Sequence, residues 1–274
     1  MSQPLRQSRD AALGLEVDAV TVRFGGVVAL DRVSLRVRPG EIVGVIGPNG
    51  AGKTTLFNAI CGFVRPDAGS IRYQGRSLDG VRPHQLASLG IARTLQGLGL
   101  WQGLTTLENV MVAGHQAGSG LVAALLGLPR AEREERALRQ RAERLLAELG
   151  AAELAGKRPA AIPFGMQKRV ALARALLAEP TLLLLDEPAS GLSAGELEHL
   201  RGVLRGLRAR GDLGVALVEH HMDLVMSLCD RVVVLELGRV IAEGPPAQVQ
   251  ANPAVTEAYL GQEVTIAGGG GGHA

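Results

Sequence analysis

Cysteine is almost missing from this 274-residue chain: Cys61 and Cys229 are the only two, far apart and with no C-x-x-C spacing. That argues against a zinc ribbon or a disulfide framework and reads as two buried thiols in a reducing compartment. Neither sign of charge is in excess. The 29 Lys and Arg stand against 27 Asp and Glu, a formal charge of +2, which leaves no basic tract for nucleic acid. No apolar run approaches the roughly 20 residues of a membrane-spanning helix. The longest candidate, Gly118 to Leu128, is too short. The start, Met1 to Asp10, carries Arg6 and Arg9 with no apolar stretch behind them, unlike a secretory leader. These absences predict a soluble, cytosolic protein that reaches a membrane only by docking. Aromatics are scarce too, at 3%, yet 46% of residues are hydrophobic. Disorder is thereby excluded, and one large α/β domain with an ample core is expected.

What is present is an alternation of strands and helices. Leu15 to Phe24 alternates apolar and polar residues and predicts a strand, Val33 to Val37 a second, and Glu41 to Ile46 a short buried one. The last runs into the turn Gly47-Pro48-Asn49-Gly50, with a helix expected from Lys53 to about Val64 and a strand at Ser70 to Tyr73. Thr105-Thr106-Leu107-Glu108 and Ser193-Ala194-Gly195-Glu196 are capping boxes that open helices. Arg130 to Leu149 is dense in Arg and Glu, with Leu138, Ala142, Leu145, Leu146 and Leu149 along one side, and predicts a solvated amphipathic helix stopped by Gly150. Thr181 to Leu185, Val215 to Val218 and Val232 to Leu235 are further strands, and Asn252-Pro253 opens a last short helix. The pattern predicts an α/β fold with a helical stretch, about Leu104 to Leu176, set into its middle. Beyond Gly261 the glycine-rich tail is too flexible to fold alone.

Two motifs carry chemistry. Gly47-Pro48-Asn49-Gly50-Ala51-Gly52-Lys53-Thr54, followed by Thr55, fits G-x-x-x-x-G-K-[ST] between a strand and a helix. Its glycines let backbone N–H groups turn inward around phosphates, Lys53 offers a solvated point charge, and the Thr54 hydroxyl can ligate Mg²⁺. Leu182-Leu183-Leu184-Leu185-Asp186-Glu187 is a buried strand that delivers two acids. Asp186 can hold Mg²⁺ through water, and Glu187 can polarise a water for attack on a γ-phosphate.

The order of the remaining motifs resembles the ATP-binding cassette family. Ile162-Pro163-Phe164-Gly165-Met166-Gln167-Lys168-Arg169 looks like the family's signature, usually L-S-G-G-Q. Thr94-Leu95-Gln96 resembles the glutamine loop, Val218-Glu219-His220 the switch histidine, and Phe24 stands where the family places an aromatic against adenine. Arg23-Phe24-Gly25-Gly26, Gly90 to Gln96, Leu107-Glu108-Asn109-Val110, Glu219 to Met226 and the ending Asn252 to Gly261 resemble one subfamily, the ATPase subunits of branched-chain amino-acid importers. The resemblance implies a P-loop NTPase: a RecA-like parallel-sheet core, an N-terminal antiparallel β part and a helical subdomain at about 97–178. A single domain over 15–261 is implied, with flexible ends at 1–14 and 262–274. It implies ATP and Mg²⁺ as cofactors, the metal held by Thr54, Asp186 and Gln96, with Glu187 and His220 catalytic. It also implies a second cassette closing head to tail, two permease subunits, a periplasmic binding protein, and a peripheral place on the cytoplasmic face of a bacterial membrane.

Three departures stand out. Pro163 and Phe164 replace the usual Ser-Gly of the signature and Met166 its Gln; the family uses that Ser hydroxyl on the facing chain's γ-phosphate, so the contribution in trans is expected to rest on the Gly165 N–H and the helix dipole. Ser193 stands where many cassettes have Asp, and His221 replaces a common Asp. Other readings stay open: Phe24 as a core aromatic, Gln96 as surface, His220 as a satisfied partly buried histidine, and Trp101 as either packing or a coupling contact. A lipid or lipopolysaccharide exporter ATPase shares the motifs, and a soluble non-transport cassette is a further alternative. Cassettes do not touch the solute, so amino acids, amides and urea all remain possible, as do identical or distinct paired subunits.

Overall fold

The structure is a computed structural model that describes residues 14–94, 98–115 and 129–259. Gln96, the stretch Gly118 to Leu128 and, Gly14 apart, the two expected tails lie outside the described residues. Ten strands form two sheets among the described residues. The first is antiparallel, with β1 (Leu15–Phe24) between β2 (Val27–Val37) and β4 (Ala68–Tyr73), and β5 (Arg76–Ser77) at the edge. The second runs β10 (Arg239–Gly244), β9 (Arg231–Glu236), β3 (Ile42–Ile46), β8 (Gly214–Val218), β7 (Leu182–Asp186), β6 (Ile91–Thr94), parallel throughout except for β10.

The apolar runs in β3, β7 and β8 follow from this placement. Every residue of the three strands is buried, as expected where a parallel sheet is covered on both faces. Alternation then divides each run between two cores. Leu182, Leu184, Ala216 and Val218 pack with the antiparallel sheet and with Leu56 and Phe57 of α1 (Lys53–Ile60). Leu183, Leu185, Val215 and Leu217 pack against the helical side. That side comprises α2 (Thr106–Met111), α3 (Pro129–Glu148), α4 (Phe164–Leu177), α5 (Ala194–Ala209) and α6 (Met222–Leu228). On α3, Ala142 and Leu146 are fully buried while the Arg and Glu face is exposed, and Gly150, at φ 65°, ends the helical turn. Short helices α7 (Pro246–Gln250) and 253–259 close the described chain.

Both expected capping boxes form: Thr105 Oγ1 accepts the Glu108 N–H at 3.2 Å, and Ser193 Oγ accepts the Glu196 N–H at 3.4 Å. Elsewhere the boundaries differ from expectation. β2 begins at Val27, because a left-handed Arg32 (φ 53°) interrupts the alternation that marks its second half. α1 stops at Ile60 and not near Val64, since Gly62 at φ 71° turns the chain away. Short, mixed-polarity β5, β6 and β10 carry no periodic signal of their own and exist by pairing with neighbours.

The register sets up the site. Val45 lies level with Val218, and Val218 with Asp186. The loop after β3, the acids ending β7 and the turn after β8 therefore emerge together at the carboxyl edge of the sheet, where parallel sheets gather ligand groups.

Candidate active site

The phosphate loop joins β3 to α1. Gly47 has φ 147°, and a Cβ there would fall 2.0 Å from the Leu235 carbonyl oxygen. Gly52 has φ 106°, with a Cβ 2.7 Å from the Ala29 oxygen, so glycine is the residue that fits both positions. Pro48 and Ala51 are buried, while Asn49 and Gly50 lie exposed at the loop tip. Thr54 is exposed and Thr55 half-buried on a first turn that carries no acidic residue. An anion at this helix end meets unpaired N–H groups without a competing carboxylate on the turn.

Lys53 corrects an expectation. It is buried at 6% exposure, and its Nζ donates to the carbonyls of Gly47 at 2.7 Å and Pro48 at 2.8 Å. Burial pulls its pKa below the usual lysine value, and the carboxylates of Glu187 and Asp186 partly offset that. The loop thus holds its cation folded inward against its own carbonyls, beside the two acids.

Asp186 is buried at the end of β7, and its Oδ2 accepts from Arg93 Nη2 at 2.8 Å. Arg93, on β6, also donates to Asn58 Oδ1 at 2.8 Å and sits over the Phe57 and Phe63 rings, 5.7 and 5.9 Å from their centroids. Sequence reasoning gave this arginine no role. The four residues of β6, Ile-Ala-Arg-Thr, are too short and mixed in polarity to signal a buried charge, so the role of Arg93 comes from the pairing of β6 with β7. Glu187 follows with φ 49°, a left-handed conformation costing a non-glycine residue on the order of 1–3 kcal/mol. Its N–H donates to the Val218 carbonyl at 2.9 Å, and Oε1 lies 2.8 Å from His220 Nε2. His220 is thus brought directly to Glu187, half exposed at the edge of the sheet.

The signature residues start α4. Pro163 occupies the N-cap position, and Phe164 is 50% exposed. Gly165 is buried where a Cβ would fall 2.0 Å from Glu196 Oε1, and Met166 packs against the apolar core. The Glu196 carboxylate thus lies against Gly165 on the side where a Cβ would point. Ser193 caps α5, a role that Asp also fills, but its hydroxyl here also donates to Glu196 Oε2 at 2.7 Å, which a carboxylate could not do. His221 is the N-cap residue of α6, with no side-chain capping bond. Phe24 is 52% exposed at the end of β1 and is not a core aromatic. Trp101 is 51% exposed, with the Arg174 guanidinium 5.5 Å from its ring centroid, and its backbone N–H donates to Asn109 Oδ1.

Sequence models of known families agree with this arrangement. The model described as ABC transporter matches residues 30–190, which span the phosphate loop, the signature and both acids. The chain belongs to the ABC transporter ATPase family. A second model, described as branched-chain amino acid ATP-binding cassette transporter, matches residues 239–265 of the cassette. The cassette is 40% identical to the high-affinity branched-chain amino acid transport ATP-binding protein BraF of Pseudomonas aeruginosa, over 90% of this chain and 98% of that protein. It is 39% identical to LivG, of the same description, from Escherichia coli, over 96% of this chain and all of that protein. Among solved structures it resembles MJ1267, an ATP-binding cassette of an ABC transporter in its ADP conformation, with TM-score 0.77, 30% identity and coverage of 91% of this chain and 99% of that one. It also resembles MJ0796, a cassette solved as a dimer in a post-hydrolysis state with ADP and Pi, at TM-score 0.72 and 26% identity over 85% of this chain and 98% of that one. The fold is the α/β cassette fold of these ATPases, and the cassette binds and hydrolyses ATP. A lipid exporter is not favoured by these relatives. Among the described residues no helix is long and apolar enough to cross a membrane.

Proposed function

We propose that this cassette drives an importer for branched-chain amino acids or related amides, paired with a second cassette and two membrane permeases and served by a periplasmic solute-binding protein. The permeases hold it at the cytoplasmic face of a bacterial plasma membrane. The similarity to BraF and LivG, both branched-chain amino acid transport ATP-binding proteins, and the match at residues 239–265 support that solute class. In this reading residues 15–261 act as one domain, with 97–178 as its helical subdomain and 1–14 and 262–274 outside it.

ATP lies with adenine against Phe24 and its phosphates in the loop from Gly47 to Thr55, where backbone N–H groups and the α1 N-terminus stabilise negative charge. Lys53 exchanges its two carbonyl partners for phosphate oxygens. Thr54 and Asp186 are hard oxygen donors that suit Mg²⁺, with Gln96 as a further ligand. Among the described residues no cluster of three or more His, Cys, Asp or Glu forms a metal cage, and Mg²⁺ is usually held by one or two carboxylates plus substrate phosphates. The ion neutralises phosphate charge when bound. Glu187 takes a proton from water while the water oxygen attacks the γ-phosphorus in line. The bond to the bridging oxygen breaks, releasing ADP and inorganic phosphate. His220 holds Glu187 and contacts the γ-phosphate. The base contributes about 10²–10⁴ in rate, and positioning and electrostatics the remainder. Pro163, Phe164, Gly165 and Met166 of a facing cassette close the site.

The observation that carries this reading is the 2.8 Å contact between Glu187 and His220. Glu187→Gln keeps the shape and removes the base, so ATP is expected to hold two cassettes together without being consumed. The stabilisation grows as RT ln(1 + [L]/Kd), roughly 2.7 kcal/mol at a hundredfold excess, enough to bring a weak dimer into view by size-exclusion chromatography. A strictly monomeric variant with ATP and Mg²⁺, together with wild-type specific activity independent of concentration, would overturn the head-to-tail mechanism.

A further inference from the structure

Three charged residues are buried as whole residues among the described ones, Lys53, Asp186 and Glu219, beside the Arg93 side chain that pairs with Asp186. The first two belong to the nucleotide site. Glu219, the most buried at 1% exposure, has no assigned work. A carboxylate out of water is tolerated only when its oxygens are well satisfied, and here the satisfaction is specific. Oε1 accepts the N–H of Ala189 at 2.5 Å, and Oε2 accepts those of His220 at 2.9 Å and His221 at 3.3 Å. The donors come from two separate segments: the loop that follows Glu187, and the turn that carries His220.

The same loop is held from its other side. Lys168 of α4 donates through Nζ to the carbonyls of Glu187 at 3.0 Å and Pro188 at 3.1 Å, and also to that of Ser190. Every residue from 187 to 190 thus has a backbone group tied to a charged side chain, the carbonyls by Lys168 and the Ala189 amide by Glu219. The lysine also feels the Glu219 carboxylate, which balances the buried charge.

We propose that Glu219 is a positioning residue for ATP hydrolysis, its buried carboxylate tying the loop after Glu187 to the turn after β8 so that Glu187 and His220 meet at hydrogen-bond distance. The left-handed backbone at Glu187 gives that loop a definite direction, and the bridge sets that direction relative to the His220 turn. Charge matters as well as shape. Hydrogen bonds to an ionised acceptor are roughly twice as strong as neutral ones, and a carboxylate accepts at both oxygens whereas an amide offers one oxygen and one NH₂. Glutamine at 219 therefore sets donors against donors on one of the two segments.

The proposal rests on the reading of Glu187 as base and His220 as its partner. Steady-state ATPase activity is measured with MgATP on the full chain, at a concentration where specific activity has levelled off. The proteins are wild type, Glu219→Gln, His220→Ala and the double variant, with binding of a fluorescent ADP analogue and thermal unfolding followed in parallel. Glu219→Gln is expected to lower kcat on the order of 10- to 100-fold, the scale of a displacement of about 1 Å. KM and analogue affinity should stay near wild type, because the phosphate loop is carried by other strands. The double variant should fall no further than His220→Ala, since both losses pass through the same pair. Wild-type kcat in Glu219→Gln, losses that multiply in the double variant, or a loss of analogue binding in proportion to kcat would each overturn the proposal. Should Glu219→Gln fail to fold, Lys168→Met takes its place in the cycle under the same criteria. A His220→Ala protein with full turnover would refute the reading of His220 and the proposal with it. Lost turnover in His220→Ala beside full turnover in Glu219→Gln would overturn the proposal alone.

Discussion

Replacing Arg93 by Met tests whether the buried ion pair, and not the nucleotide, holds Asp186 in place. The arginine and aspartate side chains are 8% and 3% exposed, with 2.8 Å between Nη2 and Oδ2. Methionine roughly keeps the volume between Phe57 and Phe63 but leaves the carboxylate buried with Lys53 as the cation it interacts with at longer range. Removing one partner of a buried pair costs about 3–5 kcal/mol, mostly as the penalty of the charge left behind. Loss of the bond to Asn58 and of two ring contacts adds to this. Against a total stability of about 5–15 kcal/mol the change is large, and it corresponds to a Tm fall of about 6–20 °C for a domain of this size. Urea unfolding without nucleotide reads the loss directly. Adding Asp186→Asn removes the orphaned charge, so the double variant is expected to recover part of the stability lost in Arg93→Met. A single variant within about 1 kcal/mol of wild type, a typical exposed-pair value, would refute the reasoning, as would strictly additive losses in the double variant.

Lys53→Ala should abolish nucleotide binding by fluorescent-analogue titration. Because this lysine is buried, the change should also cost about 1–3 kcal/mol as the Gly47 and Pro48 carbonyls lose their donor; unchanged affinity would defeat the phosphate-loop assignment. Ser193→Ala should cost about 0.5–2 kcal/mol in urea unfolding, with Ser193→Thr, which keeps both the capping acceptor and the hydroxyl that donates to Glu196 Oε2, losing much less. Equal losses in the two variants would mean that capping is not what this position contributes.

What was legible in the sequence is what depends on near neighbours. The phosphate loop is a run of eight residues whose glycines answer to local backbone geometry, and both capping boxes close across three residues. The buried strands β3, β7 and β8 announce themselves as apolar runs because both faces of a parallel sheet are covered. Resemblance to known cassettes then ordered these pieces into a site. The tertiary structure decided how that site is held. Arg93 and Asp186 are 93 positions apart, and Ala189 and Glu219 are 30 apart; each pair meets only because β6, β7 and β8 lie side by side in one register. The burial of Lys53 and the approach of the Glu196 carboxylate to Gly165 likewise depend on how separate segments pack. A periodic pattern records which face of an element is apolar, whereas the pairing of a buried charge depends on which strand is its neighbour and how far along it sits. That information exists only once the sheet is assembled.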